Sequence, residues 1–335
     1  MPGQDWRPFA ALLLVQFSFA SLAVVGKVAV EALPPIIVAG IRMFFASIFL
    51  AALAFAARER PRGLDLAKIF GLSLLGIVIN QILFLEGLGH TTAVNASILV
   101  ATIPIFTTGI AVLLGREAPK PLRLIGIGVA LAGAFVVLGV ERFDLGGETQ
   151  LGNLMIVLNS LSYSFYLVLS RPLLHRYRSI TVVAWTFLFG SVLITPIAAF
   201  RSTTFDFAQV PSSVWWAMVW IVLVPSVLSY SLNNYALKRI QSSTVATYVF
   251  LQPLLGVAMA IAFLEGETLP VRSLFGGLLI LAGVLVVSRT ERVEPVVAIP
   301  ESGEAMSRNP IEAADGRAQP EPQEDNRRRG RQEAP

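Results

Sequence analysis

Two apolar segments of the 335-residue sequence each carry a stripe of polar side chains at helical spacing. The stripe residues occupy positions i, i+3, i+4 and i+7, which share one face of a helix. They are Asn159, Ser162, Tyr163 and Tyr166 in one segment and Ser226, Ser229, Tyr230 and Asn233 in the other. Amides and hydroxyls on such a face can hydrogen bond the amino and carboxylate groups of a zwitterion, and the tyrosine rings can contact an apolar or cationic side chain.

Other apolar segments contribute three more uncharged polar side chains, those of Gln16, Asn80 and Gln81. Polar groups are costly inside a membrane, so we interpret these residues and the stripes as the lining of a substrate-binding cavity. The predicted substrate-binding residues are Gln16, Asn80, Gln81, Asn159, Tyr163, Tyr166, Tyr230 and Asn233. The alternative interpretation is that these residues form hydrogen bonds between helices and do not contact a substrate.

Two charged residues, Arg42 and Glu86, lie inside predicted membrane spans. Arg42 either anchors a substrate carboxylate or has a structural role, in which it reaches the lipid headgroups or forms a charge pair with Glu86. Glu86 lies near the end of its span, so it is either a water-exposed residue or a proton carrier. The sequence leaves these alternatives open.

Residues for enzymatic chemistry are missing from the sequence. It contains no cysteine, and His90 and His175 lie in predicted loops without a neighbour at metal-ligand spacing. An intramembrane enzyme would need paired carboxylates, a metal site or a nucleophile with its base. We therefore predict a protein that is not an enzyme, with no catalytic residue, no metal and no cofactor. No nucleotide-binding motif is present, so ATP is not expected to be the direct energy source.

The composition is that of a membrane protein. Hydrophobic residues make up 55% of the sequence, charged residues 14%, and the mean hydropathy is +0.68. A soluble domain has about a quarter charged residues. Although the pI is near 9.6, the basic residues lie in short loops between apolar segments, which predicts membrane topology and no nucleic-acid partner.

The apolar segments are long enough for ten transmembrane helices, because about 20 apolar residues cross the hydrocarbon layer. The predicted spans are 8–27, 34–57, 67–88, 93–115, 121–140, 150–170, 179–200, 213–236, 243–264 and 271–289. With the N-terminus inside, the inner segments up to and including Arg292 hold 15 lysines and arginines and the outer segments hold four. The positive-inside rule then predicts an inner (plasma) membrane protein with cytoplasmic N- and C-termini.

The second half of the sequence repeats the first. Glu117 and Gly126 recur as Glu267 and Gly276, and Leu131–Ala134 recurs as Leu281–Val284, all at an offset of 150. Because five spans are an odd number, the two copies enter the membrane from opposite sides. The predicted fold is therefore an all-α, polytopic bundle of ten transmembrane helices built from two inverted five-helix repeats. The predicted units are a first repeat at 8–142, a second repeat at 150–290 and a disordered cytoplasmic tail at 291–335.

Several short motifs occur in the same order as in a known group of transporters. They are Arg42 within Ala39–Phe45 after Pro34-Pro35, Gln81 followed by Gly87-Leu88 and Thr91-Thr92-Ala93, the mid-span Pro104 and Pro253, and the Gly126/Gly133 and Gly276/Gly283 helices preceded by Glu117 and Glu267. In these features residues 8–290 resemble the drug/metabolite transporter superfamily, EamA type. The resemblance implies a ten-helix bundle with a central cavity that transports amino acids or related metabolites, often outward. It also favours the structural role for Arg42, which recurs in the family whatever the substrate.

The predicted function is secondary transport of small metabolites, amino acids or related compounds, across the inner membrane by alternating access, with export as the direction. The alternatives are efflux of cationic drugs and a membrane protein that binds a ligand without transporting it. The expected partners are a small-molecule substrate and the lipid bilayer. The glycines repeated every seven residues predict close helix packing, either inside a monomer or in a homodimer.

Overall fold

The computed structural model describes residues 5–55, 58–91, 93–138, 147, 149–263 and 271–291. Each regular element in these ranges is helical, and a helix lies in each of the ten predicted spans, which confirms the all-α fold. The helices are α1 (Arg7–Ala32), α2 (Pro35–Phe55), α3 (Leu64–Ser73), α4 (Ile79–Gly89), α5 (Ala93–Val100), α6 (Ile103–Leu113), α7 (Pro121–Leu138), α8 (Gln150–Arg176), α9 (Ser179–Ser202), α10 (Ser212–Ile221), α11 (Ser229–Leu237), α12 (Ser242–Thr247), α13 (Leu251–Phe263) and α14 (Val271–Thr290). The predicted tail beyond Glu291 lies outside the described residues.

Five helical stretches of the described chain are long and apolar enough to cross a membrane. They are Pro35–Phe55, Leu64–Gly87, Gln150–Arg176, Ser179–Ser202 and Ser212–Leu237. Four shorter apolar stretches lie at Arg7–Leu22, Ile98–Leu113, Pro121–Val137 and Leu274–Thr290. With no water in the hydrocarbon layer, a helix is the form in which such a segment satisfies its own backbone hydrogen bonds.

Two of the long stretches contain a π-helical turn near their middle. Leu74–Val78 joins α3 to α4, and Val222–Leu228 joins α10 to α11. Pro225 lies inside the second turn and has no backbone N–H to donate. The Val224 carbonyl oxygen accepts from the backbone N–H of Ser229 and also from its hydroxyl, the latter at 3.0 Å, so the side chain adds a second hydrogen bond at the end of this turn.

Pro104 and Pro253 lie next to interruptions of the helices in the fourth and ninth spans. Pro104 lies in the first turn of α6, and two turn residues, Ala101 and Thr102, separate α6 from α5. Pro253 lies in the first turn of α13, directly after the 3₁₀ turn Tyr248–Phe250. The first turn of a helix tolerates proline because its N–H groups have no partner within the helix.

The repeated glycines bring α7 and α14 together inside one chain. A Cβ atom at Gly133 would lie 2.6 Å from the Gly276 carbonyl oxygen, and one at Gly283 would lie 2.5 Å from that of Gly126. Since an earlier residue of α7 meets a later residue of α14, the two helices run antiparallel. These helices occupy equivalent places in the two repeats, so their antiparallel contact confirms that the repeats are inverted.

Other large helix contacts also join a helix of one half to a helix of the other. Helix α2 packs along its repeat equivalent α9, where Gly40 contacts Ala198. Helix α1 packs on α10 and α11, and its equivalent α8 packs on α4. Buried side chains such as Met43 of α2 and Phe187 of α9 fill the contact between these helices. The polar stripes of α8 and α11 therefore face other helices of the bundle.

Candidate substrate-binding site

A buried arginine lies at the contact between α2, α4 and the π-helical turn Val222–Leu228. Arg42 is 5% exposed. Its Nε donates to the Ser226 hydroxyl at 2.6 Å, and its Nη1 lies 3.4 Å from Gln81 Oε1. Neither partner carries a charge, and no carboxylate pairs with this guanidinium in the described part of the chain. A buried charge without a counterion costs several kcal/mol, so this position favours the arrival of an anion.

Glu86, the acidic residue that the sequence offered as a partner of Arg42, is exposed on α4. Among the described residues no ion pair joins the two side chains. The structure thus gives Arg42 the polar partners Ser226 and Gln81.

Tyr230 of α11 lies beside this arginine. Its ring is buried and makes edge-to-face contacts with Phe187 at 4.9 Å and Phe19 at 6.0 Å between centroids. Gln81 is within hydrogen-bonding reach of the Tyr230 hydroxyl. We call Arg42, Gln81, Ser226 and Tyr230 the arginine cluster. It joins a cation, an amide, two hydroxyls and an aromatic face from three spans.

A second group connects the two stripes, as their spacing predicts. Tyr163 and Tyr166 stack with their ring centroids 5.8 Å apart. Asn233 Nδ2 lies 3.4 Å from the Tyr163 hydroxyl, and Asn234 Nδ2 donates to the Tyr166 hydroxyl at 2.8 Å. Tyr166 is fully buried, with its ring against Gly76 of the first π-helical turn, whereas Tyr163 is partly exposed. We call Tyr163, Tyr166, Asn233 and Asn234 the tyrosine cluster, and Tyr163 is its partly exposed member.

The remaining predicted residues form hydrogen bonds between helices. Asn159 Nδ2 donates to the backbone oxygen of Asn80 at 2.7 Å, which ties α8 to α4. Gln16 Oε1 accepts from Gln252 Nε2 at 2.8 Å, which ties α1 to α13. Gln16 and Asn159 are buried, and Asn80 is half-buried.

Sequence reasoning missed three polar residues of this region. Asn234 holds Tyr166, Gln252 holds Gln16, and the Ser18 hydroxyl lies within hydrogen-bonding distance of the Ser229 hydroxyl, at 2.7 Å. Asn234 and Gln252 stand next to Asn233 and Pro253, so inspection of the neighbours of singled-out residues would have found them.

A buried ion cluster lies at the end of the bundle where the connecting segments carry the basic residues. Arg123 Nη1 pairs with Glu117 Oε2 and its Nη2 pairs with Glu291 Oε2, both at 3.1 Å. The three side chains are only 1–2% exposed. The sequence indicated Glu117 solely as a repeated residue, counted Arg123 among the loop cations and assigned Glu291 to the start of the tail.

Helix α12 and the residue before it, Gln241, supply hydrogen-bond donors for both carboxylates of this ion cluster. Glu117 accepts from the Ser242 hydroxyl at 2.7 Å and from the hydroxyl and backbone N–H of Ser243. Glu291 accepts from the Thr244 hydroxyl and from the Gln241 N–H, the latter at 3.0 Å. Glu117 and Arg123 lie in the first half of the chain, whereas α12 and Glu291 lie in the second half. The ion cluster therefore joins the two halves.

Comparison with known proteins identifies the chain. The model of the EamA-like transporter family matches residues 7–139 and 150–289, one match for each half. This chain belongs to the EamA-like transporter family. The EamA-like protein is therefore a multi-pass membrane transporter and not an enzyme.

Relatives of this EamA-like protein carry transporter names. It is 27% identical over 276 residues to an uncharacterized transporter of Archaeoglobus fulgidus, covering 82% of this chain and 94% of the relative. It is 28% identical over 259 residues to a probable terminal-alkyne amino-acid exporter of Streptantibioticus cattleyicolor, covering 75% and 84%. A crystal structure at 18% identity superposes with a TM-score of 0.69 over 85% of this chain and 96% of that chain, which supports the same fold.

Proposed function

We propose that this transporter exports amino acids or related carboxylate-bearing metabolites across the inner membrane by alternating access. The observation that carries the proposal is Arg42, a buried cation whose partners in the described chain are the neutral Ser226 and Gln81. A substrate carboxylate would neutralise this charge and could accept two parallel hydrogen bonds from the guanidinium. In this role Arg42 is the anchor of the substrate.

The rest of an amino acid would meet aromatic and amide groups. The Tyr230 ring is the aromatic face of the arginine cluster, and Tyr163 is the partly exposed member of the tyrosine cluster. Aromatic faces attract ammonium groups and accommodate apolar side chains. The name of the Streptantibioticus relative, a probable amino-acid exporter, supports the same substrate class.

The inverted halves support a rocking mechanism, because exchanging the conformations of two inverted repeats moves a central site from one side of the membrane to the other. The ion cluster ties the halves at the basic end of the bundle, which the distribution of lysine and arginine assigns to the cytoplasm. We infer that the conformation described here is closed at the cytoplasmic end. Breaking and re-forming the ion cluster would then accompany each transport cycle.

The proposal is tested by comparing metabolites in the medium of cells with and without the protein. We expect amino acids or related carboxylates to accumulate outside cells that express the wild type. Arg42→Gln should abolish the accumulation, and Arg201→Gln, at an exposed arginine outside the arginine cluster, should leave it unchanged. Normal export by a folded Arg42→Gln variant would refute the role of Arg42. Resistance to cationic drugs without any change in carboxylates would refute the proposed substrate class.

A further inference from the structure

A groove of about 370 Å³ lies between α3 and α8 at the basic end of the bundle. Its wall consists of leucines from both helices, among them Leu72 and Leu169, and its rim consists of charged side chains. The volume lies in the range of small-molecule binding sites. No residue of the groove belongs to the arginine, tyrosine or ion clusters.

Three cationic side chains stand on the rim of this groove. Asp65 holds two of them, because Arg176 Nη1 lies 3.1 Å and Lys68 Nζ 3.6 Å from Asp65 Oδ1. Arg116 is held by its own hydrogen bond to the Val168 carbonyl oxygen at 2.9 Å. With three cations and one carboxylate the rim has a net charge of +2.

The rim cations remain accessible to solvent although ion pairs and a hydrogen bond hold them in place. The side chains of Lys68 and Arg176 are 57% and 63% exposed, and Arg116 is exposed as well. Each therefore keeps N–H donors for a ligand. A single phosphate group can accept from several of them at once.

The lower part of the groove is apolar and open. A Cβ atom built on Gly71 meets no other atom within 4 Å, so this glycine leaves space beside α3. The leucines of α3 and α8 border that space. A cationic rim above an apolar channel matches an amphiphile better than it matches a free anion, which would use the rim alone.

We propose that this groove binds an anionic glycerophospholipid. Its phosphate contacts Lys68, Arg116 and Arg176, and the first carbons of an acyl chain lie along Gly71 and Leu169. Basic pockets between transmembrane helices recognise anionic headgroups in this way, and each basic residue near the membrane surface strengthens binding about fivefold. Neutralising all three cations is then expected to weaken binding about 100-fold.

Titration of the purified full-length protein in detergent with short-chain phosphatidylglycerol tests the site. The triple variant Lys68→Gln, Arg116→Gln and Arg176→Gln should bind about 100-fold more weakly than the wild type. A matched triple variant, Arg58→Gln, Arg60→Gln and Arg62→Gln, removes three exposed cations of the loop before α3, outside the groove, and should bind within twofold of the wild type. Equal weakening in both triple variants would refute the site, since it would reflect net charge alone.

A second variant separates a lipid from a free anion. Gly71→Leu fills the apolar channel and leaves the rim intact, so it should weaken phosphatidylglycerol binding at least tenfold. Phosphatidylcholine should bind poorly to every variant, and inorganic phosphate at millimolar concentration should not displace phosphatidylglycerol. If phosphate displaces the lipid and Gly71→Leu binds normally, the groove is an anion site and the proposal is wrong. Unchanged thermal unfolding of the variants controls for folding.

Discussion

Replacing Arg123 by methionine perturbs the ion cluster at its centre. The substitution keeps an apolar side chain of similar length and removes the cation that faces Glu117 and Glu291. Both carboxylates are about 1% exposed, so they would remain buried with hydrogen-bond donors from α12 and Gln241 but without a cation. Removing one partner of a buried ion pair destabilises a protein by about 3–5 kcal/mol, and we expect about 4 kcal/mol here.

The free energy of unfolding in mixed detergent micelles measures this loss. The triple variant Arg123→Met, Glu117→Gln and Glu291→Gln removes all three charges and should recover at least half of the stability, because an uncharged replacement of a buried ion cluster is often neutral. Arg239→Met is a control at an arginine that stacks on Tyr235 at 3.6 Å outside the cluster, and it should cost less than about 1 kcal/mol. If the triple variant is as unstable as Arg123→Met, unpaired buried charge is not the cause.

Arg123→Met should also open the end of the bundle that the ion cluster closes. The sequence has no cysteine, so Thr247→Cys, at a fully buried position of α12, provides a unique reporter thiol. We take about 2 kcal/mol of the stability lost in Arg123→Met to come from the closed conformation alone. A maleimide should then label this thiol about 30-fold faster in the Arg123→Met, Thr247→Cys protein than in the Thr247→Cys parent. Equal labelling rates would refute the idea that the ion cluster controls opening.

Two more predictions concern packing and the tyrosine cluster. Gly133→Ala should sharply lower the yield of folded protein in size-exclusion chromatography, because its Cβ would lie 2.6 Å from a backbone oxygen of α14, whereas Gly128→Ala on the same helix, with nothing within 4 Å, should be tolerated. Tyr166→Phe should lower the free energy of unfolding by about 1 kcal/mol, because Asn234 loses its buried partner at 2.8 Å. Tyr163→Phe should instead lower transport of amino acids and leave the free energy of unfolding within about 0.5 kcal/mol of the wild type. A transport defect in Tyr166→Phe but not in Tyr163→Phe would contradict the structural role of Tyr166 and the substrate-binding role of Tyr163.

The sequence predicted the helices and their inverted arrangement because both depend on local or periodic patterns. Apolar length decides whether a segment spans a membrane, and the offset of 150 between Gly126 and Gly276 identifies equivalent helices. The sequence also placed Tyr163 and Asn233 on the facing sides of their helices. Helical spacing is sufficient for that inference, since it needs no knowledge of the neighbouring helix.

The ion cluster was beyond the reach of those patterns. Arg123 lies 168 residues before its partner Glu291, and each residue by itself resembles an ordinary charge at a helix end. Glu291 stands where the composition becomes polar, so it looked like part of the tail. For Tyr166, the spacing gave the correct face but not the buried neighbours Gly76 and Asn234 that occupy it.

The glycine contact between α7 and α14 has the form of an isologous interface, in which the same patch appears on both partners. Gly126 meets Gly283, which is the repeat equivalent of Gly133, and Gly133 meets Gly276, which is the equivalent of Gly126. Two identical five-helix chains inserted in opposite directions could form this contact as a homodimer. A single chain guarantees equal numbers of both orientations, and it leaves each half free to acquire residues, such as Arg42 and Arg123, that the other half does not need.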